Sequence, residues 1–269
     1  MLDMIRSETH PLDAPLPPPP QAQPADVALF LDLDGTLLDF AARPDAVVVE
    51  DGLRTRLRRL RTALGGALAL LSGRSLQQID ALLGLPEAAA AGLHGAELRR
   101  ANGRVSQLRP EAERLEALRD RARAIAAALP GVLLEDKGVA FALHYRNVPD
   151  AAPEVERAAH ELLRFGGAGF ELQAGNRVVE LKPAGVDKGV ALAALMLEAP
   201  FAGRVPWMLG DDLTDEHAFA RVEELGGVSI LVGERRPTRA RHALADPAAA
   251  RAWLAALADA AATQPMEVR

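Results

Sequence analysis

Two short acidic clusters constrain this chain more than any other feature, because each directly follows an apolar run of strand-like composition. Asp32-Leu33-Asp34-Gly35-Thr36 follows Val27 to Leu31, and Gly210-Asp211-Asp212-Leu213-Thr214-Asp215-Glu216 follows Val205 to Leu209. Carboxylates this dense repel one another unless something positive sits among them. Every candidate ligand is a hard oxygen donor, the chain has no cysteine, and neither cluster carries histidines at transition-metal spacing. Mg2+ is the counter-charge that such donors select. The expected geometry brings the two acidic strand ends to a common rim with a divalent ion between them.

The rest of the pattern says what kind of sheet holds that rim. A strand over 27–32 precedes a helix whose Leu53, Leu57, Leu60 and Leu64 share one face. A second strand, Ala67 to Leu71, runs into Ser72-Gly73-Arg74, and Ser75 is placed to cap a helix carrying Leu76, Ile79 and Leu83. A third apolar run, Ala88 to Leu93, ends at His94-Gly95-Ala96-Glu97. Strand and helix in alternation predict an α/β fold built on a doubly wound, mostly parallel sheet covered by helices. Ligands collect at the carboxyl ends of such strands, where all of these polar clusters fall. From 106 to 183 the order changes to helix (111–129), strands (132–135, 139–145), helix (151–164) and strands (170–173, 177–181), a smaller α/β module inserted into the larger sheet. Alternation resumes with a helix over 187–197, a strand from Val205, a helix over 214–224, a strand over 228–232 and a last helix near 247–261. The expected division is a core of residues 26–105 and 184–269, an inserted domain of 106–183, and a flexible tail of 1–25 containing Pro17 to Pro20.

At 269 residues the chain is long enough for two such modules. Its net charge of -6 argues against an electrostatic nucleic-acid surface. No stretch reaches the apolar length of a membrane span, and no basic segment followed by an apolar one opens the chain. Without cysteine there are no disulfides, and a cytoplasmic protein is expected. Any anionic ligand must then be met by local cations. The chain uses 28 arginines and only three lysines, Lys137, Lys182 and Lys188, so each lysine stands out as a compact point charge.

Residues two apart on an extended strand point the same way, so Asp32 and Asp34 are expected to project together. One can bind metal and attack as a nucleophile while the other exchanges protons. Gly35 and Thr36 open a turn whose amides can hold an anion. Lys188 falls in the first turn of its helix, where the macrodipole disfavours a cation by roughly a few tenths of a kcal/mol and a bound phosphate would reverse the sign. Each feature alone has an ordinary explanation as a turn or a helix start. Their joint occurrence at successive strand ends is what carries weight.

These residues resemble the four motifs of the haloacid-dehalogenase-like phosphatases, read here as Asp32-Leu33-Asp34-Gly35-Thr36, Ser72, Lys188 and Gly210-Asp211-Asp212-Leu213-Thr214-Asp215. The resemblance implies that Asp32 forms an aspartyl-phosphate and that Asp34 serves as acid and then base. Ser72 and Lys188 would hold the phosphate, with Gly35, Thr36, Gly73 and Arg74 beside them. Mg2+ would be bound by Asp32, the backbone carbonyl of Asp34 and Asp211, with Asp212 and Asp215 in support. An acid at position 34 suits a sugar ester, whose alkoxide leaves poorly unless protonated.

After the tail, the chain is similar to the trehalose-6-phosphate phosphatases in particular. The similarity rests on Gly92 to Glu97, Gly210 to Phe219, and the closing Val232-Gly233, Thr238, Ala240, Leu244 and Pro247. In that family the inserted domain is a cap that closes over a sugar phosphate. The similar cap positions here are Glu135, Lys137, Arg146 and Glu180, with His94 and Glu97 on the core side. Relatives often carry lysine near Asn176, which is followed here by Arg177. Carboxylates accept from vicinal hydroxyls and cations orient them, as a sugar phosphate requires. Arg146 and Lys182 are equally readable as cross-strand pairs on a solvated face, and His94 and Glu97 as loop stabilisers. Two other functions stay open: another sugar phosphate such as sucrose phosphate or mannosyl-3-phosphoglycerate, and a non-catalytic sensor, against which the presence of Asp32, Asp34, Lys188 and Asp211 counts. No Gly-x-Gly-x-x-Gly follows the first strand, which disfavours a dinucleotide site. The expected protein is a monomeric, magnesium-dependent sugar-phosphate phosphatase with no nucleic-acid or membrane partner.

Overall fold

The computed structural model describes residues 15–21, 23–39, 47, 49–175 and 177–262, so much of the expected tail and Asn176 lie outside the described residues. β1 (Val27–Leu31) is apolar at every position and buried throughout, as a strand in the middle of a covered parallel sheet must be. It pairs in parallel with β10 (Val205–Gly210) on one side and β2 (Leu68–Leu71) on the other. Joined by β3 (Ala89–Gly92), β4 (Glu97–Arg99), β5 (Val105–Gln107), β11 (Val228–Val232) and β12 (His242–Leu244), these make an eight-stranded sheet in the order β12-β11-β10-β1-β2-β3-β4-β5.

Period-two alternation sends Val27, Leu29 and Leu31 to one face, where α1 (Asp51–Ala63), α2 (Leu76–Leu83) and α7 (Pro247–Ala262) bury Leu57, Leu60, Ile79, Leu83 and Leu254. Ala28 and Phe30 meet α5 (Lys188–Met196) and α6 (Glu216–Glu224) on the other face, through Leu192, Leu195, Phe219 and Val222. The sheet is therefore doubly wound. Its register places the acidic clusters together, because Leu31 lies opposite Leu209 and the Asp32 amide donates to the Leu209 carbonyl at 3.0 Å.

Three strands depart from the sequence expectation. β4 and β5 form antiparallel pairs at one edge of the sheet, and β12 is added at the other. Each has three residues, too few for an alternating pattern to register. Since β5 belongs to the large sheet, that sheet extends to Gln107, past the boundary expected at residue 105. The described end of the expected tail is also held in place. Leu16 packs on the core, and the Pro17 carbonyl accepts from the Ala243 amide of β12 at 3.0 Å. An edge strand offers unpaired amides, and an extended proline segment can satisfy them.

The inserted domain comprises α3 (Ala112–Ala128), β6 (Leu133–Asp136), β7 (Phe141–His144), α4 (Ala152–Gly166), β8 (Phe170–Gly175) and β9 (Val178–Pro183), with an antiparallel sheet in the order β6-β7-β9-β8. Phe141, Leu143, Val179 and Leu181 pack on Leu118, Val155 and Leu162 of its two helices. Alternation leaves Glu135, His144, Glu180 and Lys182 on the opposite face of that sheet. No helix among the described residues is long and apolar enough to cross a membrane.

Candidate active site

The acidic rim forms where β1 and β10 end. Lys188, the first residue of α5, follows Asp187, whose side chain caps the helix by accepting from the Val190 amide at 2.8 Å. Lys188 Nζ donates to Asp32 Oδ1 at 2.7 Å and to Asp215 Oδ1 at 2.6 Å. Asp215 Oδ2 in turn accepts the amides of Asp211 and Asp212 at 2.9 and 3.1 Å. This packing requires Gly210, since a Cβ there would lie 2.3 Å from Asp215 Cγ. Thr36, fully buried, donates its hydroxyl to Asp211 Oδ1 at 3.1 Å. Asp212 caps Thr214 instead, accepting from its amide and hydroxyl at 2.7 and 2.6 Å.

The Lys188 ammonium thus bonds two of the four carboxylates, while Asp211 and Asp212 are met by hydroxyl and amide donors. Burial, with Asp211 and Asp212, pushes Asp32 up to about 8, against the pull of Lys188. Burial with Asp215 and Asp212 pushes Asp211 to about 7, and burial with Asp32 and Asp212 pushes Asp215 to about 8. Burial alone would lower Lys188, but Asp215, Asp32 and Asp212 outweigh it and hold the ammonium well above the usual lysine value. Carboxylates that favour protons near neutral pH are short of positive charge. Oxygens of Asp32, Asp211 and Asp215 lie within 4.8 Å of one another, and Asp32 Oδ2 is buried without a hydrogen-bond partner.

Asp34 forms an isolated bridge with Leu38, and the chain turns over residues 35–37 between them. The Leu33 carbonyl accepts from the Thr36, Leu37 and Leu38 amides, and both Asp34 oxygens pair with the Arg74 fork at 2.7 Å. Ser72 Oγ accepts from the Arg74 amide at 3.1 Å. Gly73 lies between them because His94 needs the room: a Cβ on Gly73 would sit 2.7 Å from His94 Nε2.

The polar face of the inserted sheet closes over these strand ends. Lys137 donates to Glu180 at 2.7 Å and to the Gly73 carbonyl of the core at 3.1 Å, and His94 Nε2 lies 3.5 Å from Glu180. Burial would raise Glu180, yet Lys137 and His94 outweigh it and hold the carboxyl down to about 2. Burial lowers His94. Glu135 stands 4.0 Å from Lys137 and 3.0 Å from His144 Nε2. Glu180 Oε1 and His94 Nδ1 are buried with no hydrogen-bond partner.

Other expected residues lie elsewhere. Glu97 accepts from the Leu76 amide at 2.7 Å and from Gln107 Nε2 at 3.0 Å. Arg146 is exposed on the loop after β7, and Lys182 is buried on β9, donating to Glu171 and to the Val186 carbonyl. Sequence reasoning misses His144 and Arg235. His144 is opposite Leu133 and two residues along β7 from Ala142, the partner of Glu135, so strand alternation alone could have placed it on the Glu135 face, whereas Arg235, bonded to the Asp211 and Asp212 carbonyls, carries no sequence signal.

Residues 30–248 match the family model described as Trehalose-phosphatase. A probable trehalose-phosphate phosphatase of Sinorhizobium fredii (strain NBRC 101917 / NGR234) is 45% identical over 232 residues, 86% of this chain and 87% of that protein. The trehalose-6-phosphate phosphatase of Escherichia coli (strain K12) is 45% identical over 209 residues, 78% of each chain. Among solved structures, a trehalose-6-phosphate phosphatase related protein matches with a TM-score of 0.73 at 26% identity, covering 87% of this chain and 97% of that one. With its motif residues gathered at one rim and its relatives matched over most of their length, the chain belongs to the trehalose-phosphatase family of haloacid-dehalogenase-like phosphatases.

Proposed function

We propose that this protein is a magnesium-dependent phosphatase that hydrolyses trehalose 6-phosphate to trehalose and phosphate by way of a phosphorylated Asp32. The observation that carries the proposal is the state of Asp32: Lys188 holds one oxygen, the other is buried without a partner, and Asp211 and Asp215 converge on it. The donors fit Mg2+, being hard carboxylate oxygens, under-neutralised and close enough to share one ion. Asp32, Asp211 and the Asp34 backbone carbonyl would hold the ion, whose charge, when bound, stabilises the negative charge developing on the phosphoryl oxygens.

The protein's own groups divide the remaining work. Lys188, Ser72 and the Gly35-Thr36 turn hold the phosphoryl group. Asp32 attacks phosphorus, the bond from phosphorus to the sugar oxygen breaks, and Asp34 gives that oxygen a proton. Asp34 then takes a proton from water, which attacks phosphorus, releases inorganic phosphate and restores the Asp32 carboxylate. Arg74 orients Asp34 for both steps. In this reading the inserted domain, residues 108–183, is the specificity cap, offering Glu180, Glu135, Lys137 and His94 to the hydroxyls of the disaccharide.

Phosphate release from a panel of esters tests the proposal. With Mg2+, kcat/KM for trehalose 6-phosphate is expected to exceed that for sucrose 6-phosphate by at least about tenfold, because buried polar groups left unpaired by the wrong sugar are costly. Chelation is expected to stop release from every ester. Preference for another sugar, or release that survives chelation, would contradict it.

A further inference from the structure

One of the most heavily engaged side chains near the rim is not a motif residue. Arg235, on the loop after β11, donates through Nε to the Asp211 carbonyl at 3.1 Å and through Nη1 to the Pro237 carbonyl at 2.9 Å. Its Nη2 donates to the Asp212 carbonyl at 3.1 Å and to the Glu216 carboxylate. Glu216 is itself held, accepting from the Thr238 hydroxyl at 2.8 Å and the Arg239 amide at 2.7 Å.

The peptide joining Asp211 to Asp212 is consequently gripped at both ends. Its carbonyl accepts from Arg235, while its N–H donates to Asp215 Oδ2 at 3.1 Å. The preceding N–H donates to the same Asp215 oxygen at 2.9 Å, and the following carbonyl accepts from Arg235 Nη2. An anion on the amide side and a cation on the carbonyl side clamp the backbone that carries the Asp211 side chain. Thr36 then fixes Asp211 Oδ1. A rigid fork can reach two carbonyls and a carboxylate together, which a single ammonium cannot match in geometry.

We propose that Arg235 is a positioning residue for the cation site: it sets the direction in which Asp211 presents its carboxylate and so governs how tightly the site takes Mg2+. The proposal rests on the functional reading above. Its sign is distinctive, because Arg235 is itself a cation. Acting through charge alone, its removal would leave the rim more negative and tighten Mg2+ binding. Acting through orientation, its removal loosens binding, as loss of an outer partner of a metal ligand does elsewhere.

Calorimetric titration of Mg2+ into the metal-free full chain, run beside thermal melts, separates the two. Arg235→Met and Arg235→Lys are both expected to bind Mg2+ about 10–100-fold more weakly than the unaltered protein, with a lowered metal-free melting temperature in each but both folded at the temperature of the titration. Arg239→Met removes an exposed cation of the same loop, and it is expected to leave affinity unchanged or slightly tighter. Unchanged or tighter binding in Arg235→Met overturns the proposal and leaves the functional reading intact. Full affinity in Arg235→Lys overturns it too, because a single ammonium cannot hold both carbonyls and Glu216 at once, and the geometry of the fork would then not be what sets the affinity. Absence of Mg2+ binding by the unaltered chain overturns both.

Discussion

Asp32→Asn is expected to lower kcat by at least about a thousandfold while the protein keeps its fold. The amide preserves shape but is a far weaker nucleophile than the carboxylate, and it contributes no negative charge to a cation. Stability is spared for an electrostatic reason. Burial, Asp211 and Asp212 push Asp32 up to about 8, so ionising it works against the folded state and a neutral amide there removes a cost. Lys188 keeps Asp215 at 2.6 Å and can still donate to the amide oxygen that replaces Asp32 Oδ1. Phosphate release measured beside circular dichroism and a thermal melt checks both halves. Appreciable turnover in a folded variant would remove Asp32 as the nucleophile.

Glu180→Ala is expected to separate recognition of the sugar from handling of the phosphate. For trehalose 6-phosphate, kcat/KM should fall by about 10–100-fold, the range for hydrogen bonds to a charged acceptor. For 4-nitrophenyl phosphate, which has no sugar hydroxyls, it should change by less than about threefold, since Glu180 touches none of Asp32, Lys188 or Asp211 in the hydrogen-bond network. Glu180 remains an anion at neutral pH, held down to about 2 by Lys137 and His94, and its Oε1 has no partner in the protein. Removing a buried anion also leaves Lys137 with a poorer environment, its remaining carboxylate, Glu135, being 4.0 Å away. Glu180→Gln keeps the volume and one acceptor, and it should show the same substrate split with a smaller loss. Equal losses on the sugar and aryl esters would contradict a sugar-reading cap.

Much of this arrangement is legible in the sequence because the physics is local. β1 and β10 announce themselves as uninterrupted apolar runs, and parallel pairing then leaves no choice but to set Asp32 beside Gly210. Lys188 stands out because its helix position is unfavourable without an anion. What could not be read depends on contacts between distant segments. Glu97 is legible as part of a motif, but its bonds to the Leu76 amide and to Gln107 join segments that the sequence does not bring together. Asp34 is legible as an acid of the first motif, but its two-point pairing with Arg74, forty residues on, is not. β4, β5 and β12 are too short to show a period, and Arg235 acts on backbone carbonyls, which any sequence supplies.

Transfer of the phosphoryl group to Asp32 is the central step, and trapping it tests that step directly. In Asp34→Asn, 4-nitrophenyl phosphate still has a leaving group that needs no acid, while water lacks its base, so the phosphorylated enzyme should accumulate. Mixing this variant with the ester and Mg2+, quenching in acid, reducing with borohydride and sequencing by mass spectrometry should reveal homoserine at position 32, with a nitrophenol burst close to the enzyme concentration. Homoserine at another aspartate, or a burst with Asp32 unmodified, would contradict the account.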